Sequence, residues 1–200
     1  MCGRYDLSDS PAAIRAKFSV PAVPGFAANA DWRPTDRAPI VRLAADGERE
    51  CVLARWGLVP PWAPDLKFGS RCINARAETV ASLPAFRSAW RKRRCLVPAN
   101  AFFEWSGAKG QRLKWRISLR EEPLFALAGL WEWWQDRASG EGVASYTIVT
   151  CAANAAIAPL HDRMPVILRE TDYARWLAPA AGTEALLAPI EADALQIARA

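Results

Sequence analysis

The feature that most limits the fold of this chain is a succession of short segments rich in β-branched and aromatic residues. Fifteen prolines and eleven glycines are scattered over the 200 residues, so most elements must be short. Strand character is found in Ile40–Leu43, Cys51–Trp56, Cys95–Pro98, Phe102–Trp105, Lys114–Leu119, Leu124–Trp131, Ser145–Thr150 and Val166–Leu168. Helix candidates are fewer and do not alternate regularly with these strands: Ala12–Phe18, Pro84–Lys92, Ala152–Ile157 and segments opening at Thr171 and Thr183. The pattern predicts one α+β domain over residues 1–200, with a mainly antiparallel, barrel-like β core and a few short helices.

Composition excludes several other classes of protein. With 52% hydrophobic and 24% charged residues, the chain can bury a core and is not a disordered tail. It has no run of about 18 apolar residues and no signal-peptide pattern, so we expect a cytoplasmic protein with reduced cysteines. One histidine and five cysteines without a C-x-x-C spacing predict no metal site, and we expect no cofactor.

Charge is distributed unevenly along the chain. Residues 1–120 hold 21 basic and 10 acidic side chains, a net of +11, whereas residues 121–200 hold 5 and 11, a net of −6. Arginine provides 21 of the 26 basic residues, and its planar fork suits phosphate. This asymmetry is typical of nucleic-acid binding, although a GC-rich coding sequence would also enrich arginine.

Cys2 offers chemistry that an internal cysteine cannot. After removal of Met1 it would carry a free amine and a thiol on adjacent carbons. Their reference pKa values, about 7.7–8.0 and about 8.5, leave usable amounts of neutral amine and thiolate near neutral pH. The amine can form an imine with an aldehyde, and the thiol can then close a five-membered thiazolidine. The alternative is an incidental residue at a frayed terminus.

Three further side chains could take part in catalysis. His161, the only histidine, lies between Pro159 and Pro165 and is therefore expected on a turn. Glu104 stands among large aromatic residues, where an inward orientation would raise its pKa and suit it to general acid–base catalysis. Asn74 could orient a substrate hydroxyl. Each also has a purely structural interpretation. His161 could be a hydrogen-bonded structural histidine, Glu104 a charged residue at the edge of the sheet, and Asn74 an ordinary turn residue.

Two segments are candidates for contact with nucleic acid. Trp62, at the tip of a proline-stiffened loop, could stack on a base or could plug the barrel. The run Arg91–Arg94 could follow phosphates or could be a solvated helix end.

Five motifs occur in order along the chain: Met1–Tyr5, Trp56–Trp62, Ile73–Thr79, Arg94–Ala99 leading into Phe103–Trp105, and His161–Pro165. In this the chain resembles the SOS-response-associated peptidase (SRAP) domain family, whose members shield abasic sites in single-stranded DNA. The resemblance implies a compact α+β fold with a barrel-like core and a positively charged groove. It also implies a monomer whose partner is single-stranded DNA containing abasic sites.

The resemblance further implies roles for individual residues. The catalytic set would be Cys2, Asn74, Glu104 and His161. The DNA contacts would be Arg4, Pro34, Trp62, Arg76 and Arg163. Cys2 would form a stable thiazolidine crosslink with the ring-opened sugar, His161 would assist ring opening, Glu104 would protonate the departing hydroxyl, and Asn74 would hold the sugar or the amine.

One departure and three alternatives accompany this resemblance. The family usually carries Asn-x-Ala-Pro-Thr where this chain has Asp31–Thr35, so the charge of that loop differs. A cysteine peptidase would use Cys2 as nucleophile, His161 as base and Asn74 as orienting residue. A non-covalent single-stranded DNA-binding domain would not need Cys2, and an abasic-site lyase would work through a transient imine.

Overall fold

In the computed structural model, which describes residues 2–108, 111–178 and 182–200, short strands outnumber short helices. The strands are β1 (Tyr5–Leu7), β2 (Asn29–Trp32), β3 (Arg37–Leu43), β4 (Arg49–Trp56), β5 (Asn74–Arg76), β6 (Arg94–Ala99), β7 (Ala101–Ser106), β8 (Leu113–Leu119), β9 (Phe125–Gln135), β10 (Gly142–Ala152), β11 (Arg163–Pro165), β12 (Ile167–Leu168) and β13 (Leu195–Arg199). The α-helices are α1 (Pro11–Phe18), α2 (Arg87–Lys92) and α3 (Tyr173–Leu177), and 3-10 helices cover Leu66–Arg71, Glu170–Asp172, Thr183–Leu187 and Ala192–Ala194. Within these described ranges, no helix has the length and apolar character needed to cross a membrane.

Five strands close into a barrel in the order β10–β4–β3–β6–β9, with β9 pairing back to β10. The β10–β4 junction is parallel, with Tyr146 opposite Trp56, and the other four junctions are antiparallel. The rings of Trp56 and Tyr146 are fully buried and stack with their centroids 6.3 Å apart. Closure leaves these five strands without a free edge, and it confirms the predicted barrel-like, mainly antiparallel core.

A second sheet has the order β13–β8–β7–β1–β2. Its strand β1 is internal, because it pairs with β2 on one side and with β7 on the other. The hydroxyls of Tyr5 and Tyr146 lie 2.8 Å apart and join this sheet to the barrel. Residues 5–7 are therefore held inside the fold.

Helix α1 begins where the sequence predicts. The Ser10 side chain accepts a hydrogen bond from the Ala13 amide at 3.2 Å, and Pro11 occupies the first turn. Ile14 and Phe18 form the buried face, and the Phe18 ring stacks on Tyr173 of α3 with centroids 5.5 Å apart. The helix thus covers the barrel through side chains spaced four residues apart.

Each predicted strand segment overlaps an observed strand, but one predicted helix is wrong. Strand β10 continues to Ala152, and the chain then turns instead of forming a helix to Ile157. The Asn154 side chain accepts hydrogen bonds from the amides of Ala156 and Ile157, both at 3.1 Å. This side-chain turn takes the amide donors that would otherwise begin a helix.

Candidate active site and nucleic-acid interface

Cys2 lies at the entrance to β1 and is fully buried. Its Sγ is 3.8 Å from the Arg4 carbonyl oxygen, to which the thiol donates. Burial, and then the negative charge of Glu104, raise the pKa of the Cys2 thiol, so the protonated form is favoured. Cys2 is therefore a packed residue with a protonated thiol, not an incidental residue at a frayed end.

Glu104 points inward from β7 with only 3% of its surface exposed. Strand pairing explains this position: Tyr5 is opposite Phe102, and the Phe103 amide donates to the Arg4 carbonyl at 3.0 Å. The next residue of β7 therefore lies beside the start of the chain. Desolvation by burial raises the pKa of the Glu104 carboxyl. The carboxyl is suited to donate a proton, as the sequence predicts.

His161 lies on the turn before β11, as its flanking prolines predict. Its Nδ1 accepts a hydrogen bond from the Arg163 amide at 2.9 Å and lies 2.8 Å from Asp162 Oδ1. Since Nδ1 accepts a hydrogen bond in the neutral ring, the ring proton of that form is on Nε2. Electrostatic interactions connect Glu104 with both Cys2 and His161, so the fold brings three of the four predicted catalytic residues together.

Asn74, the fourth, begins β5, which runs parallel to β10 with Asn74 opposite Ile148. Its Nδ2 donates to the Ile73 carbonyl at 3.0 Å. Its Oδ1 is buried and has no hydrogen-bond partner among the described residues. A buried amide oxygen without a partner is costly in a folded protein, which makes it a candidate acceptor for a bound amine or hydroxyl.

Arg4 extends from the same chain segment as Cys2 and is held by an ion pair. Its Nη1 lies 2.6 Å from Asp31 Oδ2, and Arg33 Nη2 lies 2.6 Å from the same oxygen. Pro34 follows, and Thr35 has a left-handed backbone with φ of 82° and donates to the Trp56 carbonyl at 2.9 Å. Asp31, which differs from the family pattern, therefore forms ion pairs with two arginines and reduces their positive charge.

Trp62 is 51% exposed and meets the Phe68 ring edge-on, with centroids 5.0 Å apart. It is therefore available for stacking and does not plug the barrel. Its loop is fixed at the base, where a Cβ at Gly57 would lie 2.7 Å from the Gly69 oxygen.

The basic run Arg91–Arg94 does not consist only of solvated side chains. Arg94 is buried and donates to Thr183 Oγ1 at 2.7 Å, so this arginine stabilises the core.

Arg76 and Arg163 lie on opposite sides of β10 and differ in exposure. Arg76, at the end of β5, is exposed and pairs through its backbone with Thr150. Arg163 keeps 13% of its side chain exposed, and its two terminal nitrogens bind Glu78 at 2.5 and 2.9 Å. Sequence reasoning did not identify Glu78 as a contributor to the site, although it lies in a segment that carried the resemblance, and it noted the altered charge at Asp31 without its ion-pair partners. The residues that the structure describes contain no group of three or more side chains placed to hold a metal ion.

Comparisons with known proteins agree with this fold. Residues 1–200 match the family described as SOS response associated peptidase (SRAP). The abasic site processing protein YoaM of Bacillus subtilis is 36% identical over 206 residues, covering 98% of this chain and 89% of that protein. The abasic site processing protein HMCES of Xenopus tropicalis is 26% identical, covering 96% of this chain and 71% of that protein.

Solved structures show the same architecture. A Bacteroides thetaiotaomicron protein superposes with a TM-score of 0.91 at 25% identity, covering 99% of this chain and 91% of that one. A Bordetella bronchiseptica protein gives a TM-score of 0.88 at 32% identity, covering 100% of this chain and 99% of that one. With a family match over residues 1–200 and relatives sharing the fold, this chain belongs to the SOS response associated peptidase (SRAP) family.

Proposed function

We propose that this protein processes abasic sites in single-stranded DNA by forming a thiazolidine crosslink through Cys2 after removal of Met1. The observation that carries the proposal is the burial of Cys2 beside Glu104, which is within electrostatic reach of His161. The names of the relatives, abasic site processing proteins, support the same substrate.

The covalent steps balance without a cofactor. His161 assists opening of the cyclic sugar to its aldehyde, and the Cys2 amine adds to the aldehyde carbon to give a carbinolamine. Glu104 gives a proton to the departing hydroxyl, so that water leaves and an imine forms. The Cys2 sulfur then bonds to the imine carbon, and the thiol proton is transferred to the nitrogen. The product is aldehyde plus cysteine minus one water.

In the chain that retains Met1, burial and then Glu104 raise the pKa of the Cys2 thiol. A cysteine peptidase attacks with a thiolate and therefore needs a depressed thiol pKa, which this environment does not favour. In the proposed sequence the amine reacts first, and the thiol delivers both sulfur and proton in the closing step. The buried Asn74 Oδ1 is placed to accept a hydrogen bond from the amine or the sugar.

DNA is held in this proposal by Arg4, Pro34, Trp62, Arg76 and Arg163. Exposed Arg76 and Trp62 support backbone and stacking contacts, which predict little sequence preference and a strong salt dependence. Arg163 would contribute while still paired with Glu78, through the 13% of its side chain that is exposed. Trp62→Ala is expected to weaken DNA binding by about 1–3 kcal/mol, the range for one stacked base, without changing the thermal midpoint.

The test is a denaturing gel of untagged protein with single-stranded DNA carrying one abasic site. We expect a covalent species whose intact mass equals one protein chain without Met1 plus the DNA minus water. Cys2→Ala should abolish this species, whereas Cys51→Ala, which alters another buried cysteine, should not. Protein with Cys2 exposed as the first residue that gives no such species would refute the proposal. A cleaved strand without the adduct would instead identify a lyase.

A further inference from the structure

Glu78 and Arg163 form an ion pair that joins the two segments carrying Asn74 and His161. Glu78 follows β5, which begins at Asn74, and Arg163 opens β11, two residues after His161. Strands β5 and β11 both pair with β10, with Arg76 opposite Thr150 on one side and Ala152 opposite Arg163 on the other. The ion pair therefore bridges across β10.

The bridge has a fixed geometry because Thr150 of β10 takes part in it. The Thr150 carbonyl accepts from Arg163 Nη2 at 2.7 Å and from the Ala77 amide at 2.8 Å. The same Nη2 also donates to Glu78 Oε2 at 2.9 Å, and Nη1 donates to Glu78 Oε1 at 2.5 Å. A bidentate arginine–carboxylate pair fixes orientation as well as distance. The Arg163 side chain is thus anchored at three points on its neighbours.

The backbone of the same arginine contacts the candidate catalytic histidine. The Arg163 amide donates to His161 Nδ1 at 2.9 Å, and Asp162 Oδ1 lies 2.8 Å from the same nitrogen. These two neighbours favour opposite states of Nδ1, since an amide donor needs a lone pair there and a carboxylate needs a proton. The position of the Arg163 amide therefore decides which ring nitrogen carries the proton in the neutral histidine.

We propose that Glu78 is a positioning residue that, by anchoring Arg163, keeps the Arg163 amide on His161 Nδ1 and the ring proton on Nε2. Its catalytic consequence rests on the proposed function, because it concerns the proton that His161 would give to the sugar. Glu78 itself does not contact substrate in this scheme.

The single histidine makes the test direct. Protein labelled with ¹⁵N in histidine gives one pair of ring nitrogens, whose chemical shifts report the tautomer of His161 alone. We expect the wild type at neutral pH to show the Nε2–H form and Glu78→Ala to show a shift towards the Nδ1–H form, in which Asp162 is the acceptor. Glu191→Ala is the matched control, because it removes another exposed carboxylate from an arginine, Arg169, at 2.8 Å.

The inference is overturned if Glu78→Ala leaves both ring shifts where they are in the wild type, or if Glu191→Ala moves them equally. Arg163→Lys gives a second, independent test, because lysine retains the charge but cannot form the bidentate pair; it should change the shifts in the same direction. Thermal unfolding of each variant checks that it is folded.

The crosslinking assay separates this inference from the proposed function. If the wild type forms the adduct, Glu78→Ala should form it about 10-fold more slowly, within the ~100-fold loss that a 1 Å misplacement can cause. A normal rate together with an altered tautomer would overturn the catalytic role of the bridge. If the wild type forms no adduct, the proposed function fails, and the nitrogen shifts still decide whether Glu78 positions His161.

Discussion

Asp31→Asn should increase the affinity of this protein for single-stranded DNA, because the Asp31 carboxylate forms ion pairs with both Arg4 and Arg33. The carboxylate lies 2.6 Å from both Arg4 Nη1 and Arg33 Nη2, and the side chains of Asp31 and Arg4 are 30% and 31% exposed. Ion pairs with this exposure contribute about 0–1 kcal/mol each, so the substitution should have little effect on folding. Both arginines become available to phosphates, and a repelling charge is removed.

The expected size of the effect follows from counterion release. Each phosphate contact with a single strand adds about 0.7 to the slope of log affinity against log salt, so two contacts add about 1.4. We expect tighter binding by about 1 kcal/mol, or about fivefold in Kd, near 0.1 M salt. The assay is fluorescence anisotropy with DNA lacking abasic sites, titrated at several salt concentrations, with Glu191→Gln as the control for loss of one negative charge.

An unchanged Kd and an unchanged salt slope in Asp31→Asn would refute this reasoning. Acidification should not imitate the substitution at mildly acidic pH. Although burial opposes it, hydrogen bonds from Arg4 and Arg33 hold the pKa of Asp31 below its usual range. The carboxylate therefore stays charged, and the ion pairs persist, until the pH falls through that lowered pKa.

Three further predictions concern stability. Because desolvation raises the pKa of Glu104, the contribution of this carboxyl to stability is largest below the ordinary glutamate pKa of about 4.3 and is lost as pH rises through the raised value. Glu104→Gln should therefore raise Tm at pH 8, by about 2–4 °C for each kcal/mol by which the free energy of unfolding increases. The increase in Tm should be smaller at pH 4, and equal increases at the two pH values would contradict this reasoning. Tyr146→Phe should cost about 1–3 kcal/mol in urea unfolding by leaving the buried Tyr5 hydroxyl unpaired, and the double Tyr5→Phe/Tyr146→Phe variant should cost less than the sum of the single variants. Gly69→Ala should lower the free energy of unfolding by more than about 1 kcal/mol, because its Cβ would overlap the Gly57 oxygen; an unchanged urea midpoint would show that the loop can move.

The fold was predictable where a segment carries its own strand character. The strands β3, β4, β6 and β10 contain runs of apolar residues, β-branched ones among them, and were found from sequence. By contrast, β2 (Asn29–Trp32) and β5 (Asn74–Arg76) contain polar residues and are strands because neighbouring strands pair with them. Sequence predicts a barrel-like core, but not the parallel β10–β4 junction that closes it, because no local pattern encodes pairing between distant segments.

The residue types of the candidate site were predictable from the sequence, but the orientations and partners of these side chains were predictable only in part. Alternation along β7 could not determine whether Glu104 points inward, because its neighbours on both faces are aromatic; pairing with β1 determines it. The altered charge at Asp31 was visible in the sequence, but its ion pairs with Arg4 and Arg33 depend on the turn between β2 and β3. Likewise, the partner of Arg163 lies 85 residues away at Glu78.

The internal position of β1 bears on when the N-terminus can be processed. Cys2 is buried once β1 has paired with β7, so a separate aminopeptidase would reach Cys2 most easily before that pairing, and the proposed chemistry requires removal of Met1. Strand β7 ends at Ser106, so about 100 residues must be synthesised between the two strands, which takes about 5–20 s at about 5–20 residues per second. During this interval the N-terminus remains accessible to an aminopeptidase on the ribosome. The same strand order that buries the reactive thiol in the finished protein therefore provides a period during translation in which its amine can be released.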